Sequence, residues 1–153
     1  MKGIPLLLSL CLLSACSTLQ TRRDSILFSN PSLDGQQKCF TVRNISIDAE
    51  TLAKPNNEIK EAEVRTVLEG LLSDCGNSGM QIVLDISLTE RDVQIGSGLS
   101  RKTEISVFLE ARGYGEEGEP LILYVFTESG EHSLAEGYYL IRIMKRMIDA
   151  LQS

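Results

Sequence analysis

An apolar run that stops at a cysteine sets the terms for everything downstream. Met1 and Lys2 precede Ile4, Pro5, Leu6 to Leu8, Leu10, Cys11, Leu12 and Leu13, and the run closes on Ser14, Ala15 and Cys16. A positive start, about ten apolar residues and small residues before the break are the build of a secretory signal peptide. A bilayer crossing takes roughly 20 apolar residues, so this run is too short to be one. The expectation is that residues 1–15 are removed and that the working chain starts at Cys16.

An exported chain meets an oxidising compartment, which gives its cysteines a meaning. There are four of them. Cys11 leaves with the signal and Cys16 stands at the new terminus, so Cys39 and Cys75 remain. Two leftover cysteines read first as one disulfide; a pair of buried free thiols is the alternative. The formal charge of −6, from 15 Lys+Arg and 21 Asp+Glu, repels phosphate backbones and anionic lipid heads. No nucleic-acid partner is expected.

Past Cys16 the chain is long enough for one domain with one core. Residues 16–37 are polar and without lasting periodicity, and read as a flexible tether. Residues 38–153 carry the fold. Cys39 to Ile47 reads as a strand with a parity slip near Arg43-Asn44 that marks a bulge. Glu58 to Cys75 has helical spacing, with Val64, Val67, Leu68, Leu71, Leu72 and Cys75 on one stripe. A nine-residue strand and an 18-residue helix both span about 30 Å. A helix folded back over that strand brings Cys75 to Cys39.

Three more strands follow. Met80 to Ile95 alternates through Ile82, Leu84, Ile86 and Leu88, then changes parity around Glu90 to Asp92, where a bulge is expected. Gly96-Ser97-Gly98 is a hairpin turn. Arg101 to Tyr114 turns Thr103, Ile105, Val107, Leu109 and Ala111 inward and leaves Phe108 outward. Leu121 to Glu128 is apolar on both faces. Ser133 and Glu136 have capping-box spacing, so the second helix is expected from Leu134 to Leu151. Leu140, Ile141, Met144, Ile148 and Leu151 form its core stripe; Tyr139, Ile143 and Met147 form a second apolar line. The expected fold is α+β: a two-layer β-α-β-β-β-α sandwich, with two helices on one face of a mostly antiparallel four-stranded sheet.

The chemistry-bearing residues are few. His132 is the one histidine, with no Cys, Asp or Glu spacing around it that suits a metal, and without a usable histidine a Ser-His-Asp site has no base. Glu116, Glu117 and Glu119 crowd a turn that lacks the oxygen pattern of a calcium loop. No enzyme, metal or cofactor is expected. The second apolar line of the last helix is either extra core or a contact surface. Tyr139, Ile143 and Met147, with Phe108, are therefore the candidate partner or lipid contacts.

Leu13-Ser14-Ala15-Cys16 resembles the lipobox of bacterial lipoproteins. That resemblance implies cleavage before Cys16, a diacylglycerol on its thiol and a fatty acid such as palmitate on its amine. In enterobacterial lipoproteins a serine at the next position, here Ser17, permits transfer to the outer membrane. The element order over about residues 39–151 resembles the lipopolysaccharide-assembly lipoprotein family, whose members sit inside a barrel partner. The implied role is an accessory subunit of an envelope assembly, anchored in the outer membrane and facing the periplasm. An auxiliary lipoprotein of an ABC-type lipid transport system has a comparable layout.

Overall fold

The computed structural model describes residues 22–54, 59–72 and 79–153. In chain order the elements are β1 (Arg22–Ser29), β2 (Lys38–Ile47), α1 (Ala49–Leu52), α2 (Glu61–Leu71), β3 (Met80–Ile95), β4 (Lys102–Tyr114), β5 (Pro120–Gly130) and α3 (Gly137–Gln152). The strands make one five-stranded sheet in the order β1-β5-β4-β3-β2. β2 and β3 are parallel neighbours, joined by the crossover that carries α2, and every other pair is antiparallel.

The mixed α+β class agrees with the expectation, but the sheet has a fifth strand. It comes from the stretch expected to be tether. Arg22–Ser29 pairs with β5, from Arg22↔Glu128 to Ser29↔Ile122, with a register shift between Ile26 and Phe28. The Asn30 N–H then donates to the Leu121 carbonyl at 2.7 Å. A 3₁₀ turn, Pro31–Leu33, is capped by the Asn30 side chain and drops Leu33 into the core. The physical reason lies in β5. A strand apolar on both faces belongs inside a sheet rather than at its edge, and β1 supplies the outer neighbour. The shift at Leu27 breaks the period of two that would have revealed β1 in the sequence.

The bulge expected at Arg43-Asn44 is present, as a register shift between Val42 and Asn44. The one expected at Glu90 to Asp92 is not. β3 pairs with β4 without interruption from Val83↔Tyr114 to Ile95↔Lys102. The apolar parity changes there in the sequence because Glu90 is buried on the core side, whereas Val93 and Ile95 extend beyond the core and are exposed.

Both principal helices lie on one face. α2 presents Val64 and Leu68, which are buried, and its acidic first turn, Glu61 and Glu63, suits the helix dipole. It is observed from Glu61 rather than Glu58, and Cys75 lies outside the described residues. α3 buries Tyr139, Leu140, Ile143, Met144, Met147, Ile148 and Leu151 against the sheet. Each such side chain contributes roughly 1.5–3 kcal/mol when fully removed from water. Ile141, expected in the core stripe, is 47 % exposed. At 100° per residue it falls just past the edge of an arc centred on Leu140, Met144, Met147 and Leu151.

The sheet is tight where α3 and α2 press on it. Gly113 sits on the covered side, opposite Leu84 and Ile122. A Cβ there would approach Ile122 Cγ2 to 2.6 Å and Ile82 Cγ2 to 2.7 Å. Both are stiff β-branched side chains with little room to turn. Gly113→Ala is therefore expected to destabilise the domain by about 1–3 kcal/mol through overpacking, read as a lower urea midpoint at unchanged slope.

Candidate docking surface

Helices on one side leave the sheet with a second face. Parity assigns it: Gln81, Val83, Asp85, Ser87, Thr89 and Arg91 from β3, and Ser106, Phe108, Glu110, Arg112 and Tyr114 from β4. β5 adds Leu123, Val125, Thr127 and Ser129. No helix among the described residues covers this face. Most of its charges are already paired. Arg43 Nε donates to Asp85 Oδ1 at 2.9 Å and Nη2 to Oδ2 at 2.6 Å. That fork holds the Asp85 carboxyl below its usual range and places the guanidinium 5.2 Å from the Tyr114 ring centre. Arg112 Nε donates to Glu110 Oε1 at 2.6 Å.

Apolar patches interrupt these pairs. Phe108 is 37 % exposed, between Thr89 and Thr127 on the neighbouring strands. Lower on the sheet, Phe28, Arg112, Tyr114, Pro120 and Leu123 surround a shallow hollow of about 410 Å³. The face is thus a mixed surface with small apolar centres and a compensated polar rim. Arg23 of β1 lies exposed on the same face, opposite Thr127, and a mixed surface of this kind suits a protein partner.

The other three candidate contacts are elsewhere. Tyr139, Ile143 and Met147 are between 0 % and 1 % exposed and are taken up by the domain's own core. The extra apolar girth of α3 is explained by its neighbours: the helix packs against α2 as well as against β5 and β1. Cys39 is disulfide-bonded and 3 % exposed. Cys11, Cys16 and Cys75 lie outside the described residues.

A buried polar cluster at the start of α3 is a feature that sequence reasoning missed. Glu90 and Glu128 flank Val107 in one row of the covered face. Glu90 Oε2 accepts from the Leu134 N–H at 2.6 Å and from Ser133 Oγ at 3.0 Å. Its Oε1 accepts from Lys54 Nζ at 2.9 Å. The Thr51 hydroxyl accepts from the Glu90 N–H at 2.8 Å. Glu128 accepts from the Tyr139 hydroxyl at 3.1 Å and lies 3.4 Å from Arg142 Nη2. Burial, with the Glu128 carboxylate alongside, pushes the Tyr139 hydroxyl well above its ordinary range. The detectable signal was parity: both glutamates continue the inward-facing alternation of their strands.

This cluster also relocates the helix start. Ser133 and Glu136 do pair, with Glu136 Oε1 accepting from the Ser133 N–H at 3.0 Å and Ser133 Oγ accepting from the Ala135 N–H at 3.2 Å. They close a turn instead of a helix, and α3 begins at Gly137. Ser133 Oγ and the Leu134 N–H are committed to Glu90, which holds the chain one turn short. His132 lies alongside, stacked 5.4 Å from the Tyr139 ring. Its Nδ1 is 2.8 Å from the Tyr138 hydroxyl and 3.1 Å from Glu136 Oε2. On the α1 side Arg91 grips Asp48 at 2.6 Å and holds its carboxyl down at about 2. No group of three His, Cys, Asp or Glu residues that could hold a metal occurs among the described residues.

Comparison with known proteins gives only distant likenesses. No family profile matches the chain, and no curated protein matches it. Among solved structures, the chain is similar to the PelC dodecamer from Paraburkholderia phytofirmans, at 16 % identity over 88 % of this chain and 99 % of that one, with a TM-score of 0.42. A single-site variant of that dodecamer has 17 % identity, the same 88 % of this chain, 98 % of its own, and a TM-score of 0.42. A minor lipoprotein from Acinetobacter baumannii has 17 % identity over 76 % of this chain and 89 % of that one, with a TM-score of 0.35. At these scores no residue or role carries over.

Two tyrosines separate the cluster's contribution from that of packing. The buried Tyr124 hydroxyl has no hydrogen-bond partner among the described residues. Tyr124→Phe is expected to shift stability by less than about 1 kcal/mol, whereas Tyr139→Phe takes a donor from a buried carboxylate and costs about 1–3 kcal/mol. Urea unfolding of the two variants measures the difference.

Proposed function

We propose that this chain is a non-enzymatic lipoprotein, fastened through Cys16 to the outer membrane and docking as an accessory subunit of a larger envelope assembly on the periplasmic side. The observation that carries the docking part is the sheet with helices on one face only. Its second face has mostly paired charges around exposed Phe108 and a shallow apolar hollow. Lipopolysaccharide assembly is the process we propose, on the resemblance of element order alone.

The interface between α3 and the sheet supports docking over lipid carriage. A lipid-carrying auxiliary of an ABC-type system would keep that interface open. Here Tyr139, Ile143, Met144 and Met147 occupy it at 0–1 % exposure. In the same reading Cys39 is bonded to Cys75, which clips the crossover after α2 to the start of β2. Closing a loop of that length is worth roughly 4 kcal/mol in the chain-entropy model. No helix among the described residues is long and apolar enough to cross a membrane, so attachment rests on the acyl chains, at about 0.8 kcal/mol per buried CH₂.

Cys16→Ser tests the anchor. The variant is expected in the soluble periplasmic fraction with its fold intact, while the unaltered protein sediments with membranes. Persistence of the serine variant in the membrane fraction contradicts the proposal.

A further inference from the structure

The strands of the sheet are not equal at their ends. β1 begins at Arg22, paired with Glu128, and Glu128 lies opposite Val107. β5 ends at Gly130, opposite Ile105. β3 and β4 continue together to Ile95↔Lys102. The hairpin therefore projects beyond the row of Arg22 by the five residues 102–106, about 17 Å at 3.4 Å per residue, before its tip.

Three apolar side chains stand exposed on the projecting part. Val93 is 41 % exposed, Ile95 44 % and Leu99, within the 3₁₀ turn Gly98–Ser100, 110 %. Leu99 touches nothing that shields it. Arg101 is exposed beside it, and Lys102 is held 3.3 Å from Glu131 and 3.7 Å from Glu104. An isolated, fully exposed leucine at the end of a two-stranded arm, with Arg101 beside it, has the form of an interfacial membrane contact.

The residues ahead of β1 select the occupant. Arg22 enters the sheet at the same end as this tip. Five residues, 17–21, separate it from Cys16, and a segment of that length reaches at most about 20 Å from Cys16 to Arg22. That reach matches the roughly 17 Å projection of the hairpin. A lipidated Cys16 and Leu99 can therefore lie in one plane, and that plane is the bilayer surface.

We propose that the β3–β4 hairpin tip, through Leu99 with Ile95 and Val93, inserts into the headgroup–acyl boundary of the membrane that carries the Cys16 anchor. The inference rests on the lipid-anchor reading and deepens it: it gives the domain two attachment points and a fixed standing direction. The open sheet face then stands perpendicular to the bilayer, and the β4–β5 turn points away from it.

The chain contains no tryptophan, so one introduced tryptophan reports without background. Leu99→Trp, at a position without packing partners, and Glu117→Trp, in the β4–β5 turn at the far end, are purified as the membrane-derived protein. Each is reconstituted into phosphatidylethanolamine–phosphatidylglycerol vesicles with brominated acyl chains. Both variants are expected to float with the vesicles. Tryptophan at 99 is expected to be blue-shifted and quenched several-fold more than tryptophan at 117. Flotation with equal, weak quenching at both positions overturns tip insertion and leaves the anchor standing. Failure of both proteins to float overturns the anchor, and the insertion with it.

Discussion

Eight residues of backbone pairing, Arg22–Ser29 along β5, decide how this domain stands relative to whatever its N-terminus is fastened to. Without β1, the doubly apolar β5 would be an edge strand with one hydrocarbon flank in water, and the leash from Cys16 would run some twenty residues. With β1 in place, β5 is enclosed, and only residues 17–21 separate β1 from Cys16, the anchor we propose. The same pairing sets the direction of entry, because β1 is antiparallel to β5 and starts at the end of the sheet where the β3–β4 hairpin projects. Arg146 and Asp24 fasten α3 to this strand, with Arg146 Nη2 3.1 Å from Asp24 Oδ1. The edge strand is thus tied both to the sheet and to the helix above it.

The opposite edge is managed differently. Arg65 from α2 reaches over β2 and donates to the carbonyls of Val42 at 3.1 Å and Arg43 at 3.4 Å, which occupies acceptors that an unpaired edge would offer to another strand. Between the two edges, Glu90 and Glu128 hold the start of α3 at one row of the sheet. A buried carboxylate is costly unless its donors are all in place, and here Leu134, Ser133 and Lys54 serve one while Tyr139 and Arg142 serve the other. The helix is consequently fixed by polar contacts at its start and by apolar packing along its length. That fixed placement fills the covered face and leaves the other face to the surroundings.

Much of this was readable beforehand where a period survived. The 3.6-residue spacing of Val64 and Leu68 and of Leu140, Met144 and Leu151, and the alternation from Ile82 to Leu88, identified the helices and inner strands because one face of each is buried. Reading failed where a local rule met a tertiary one. β1 was hidden by its bulge at Leu27, and its polar flanks resemble linker. Ser133 and Glu136 satisfied a capping pattern, but Glu90, 43 residues earlier in the chain, had taken the hydroxyl. Glu90 itself looked like a break in parity, since charge argues for water until its partners are known. Of the candidate contacts, Phe108 was placed correctly on the outer face by alternation. Tyr139, Ile143 and Met147 were ambiguous because a wide apolar helix looks the same whether its second line faces a partner or its own core.

The whole account of orientation depends on residues 22–29 being sheet rather than leash, and amide hydrogen exchange reads that directly. The β1 amides that point toward β5 are expected to exchange about a thousandfold or more slowly than in an unstructured chain, on the timescale of their β4 and β5 neighbours. Exchange of all the Arg22–Ser29 amides within seconds, while β4 and β5 stay protected, would contradict it.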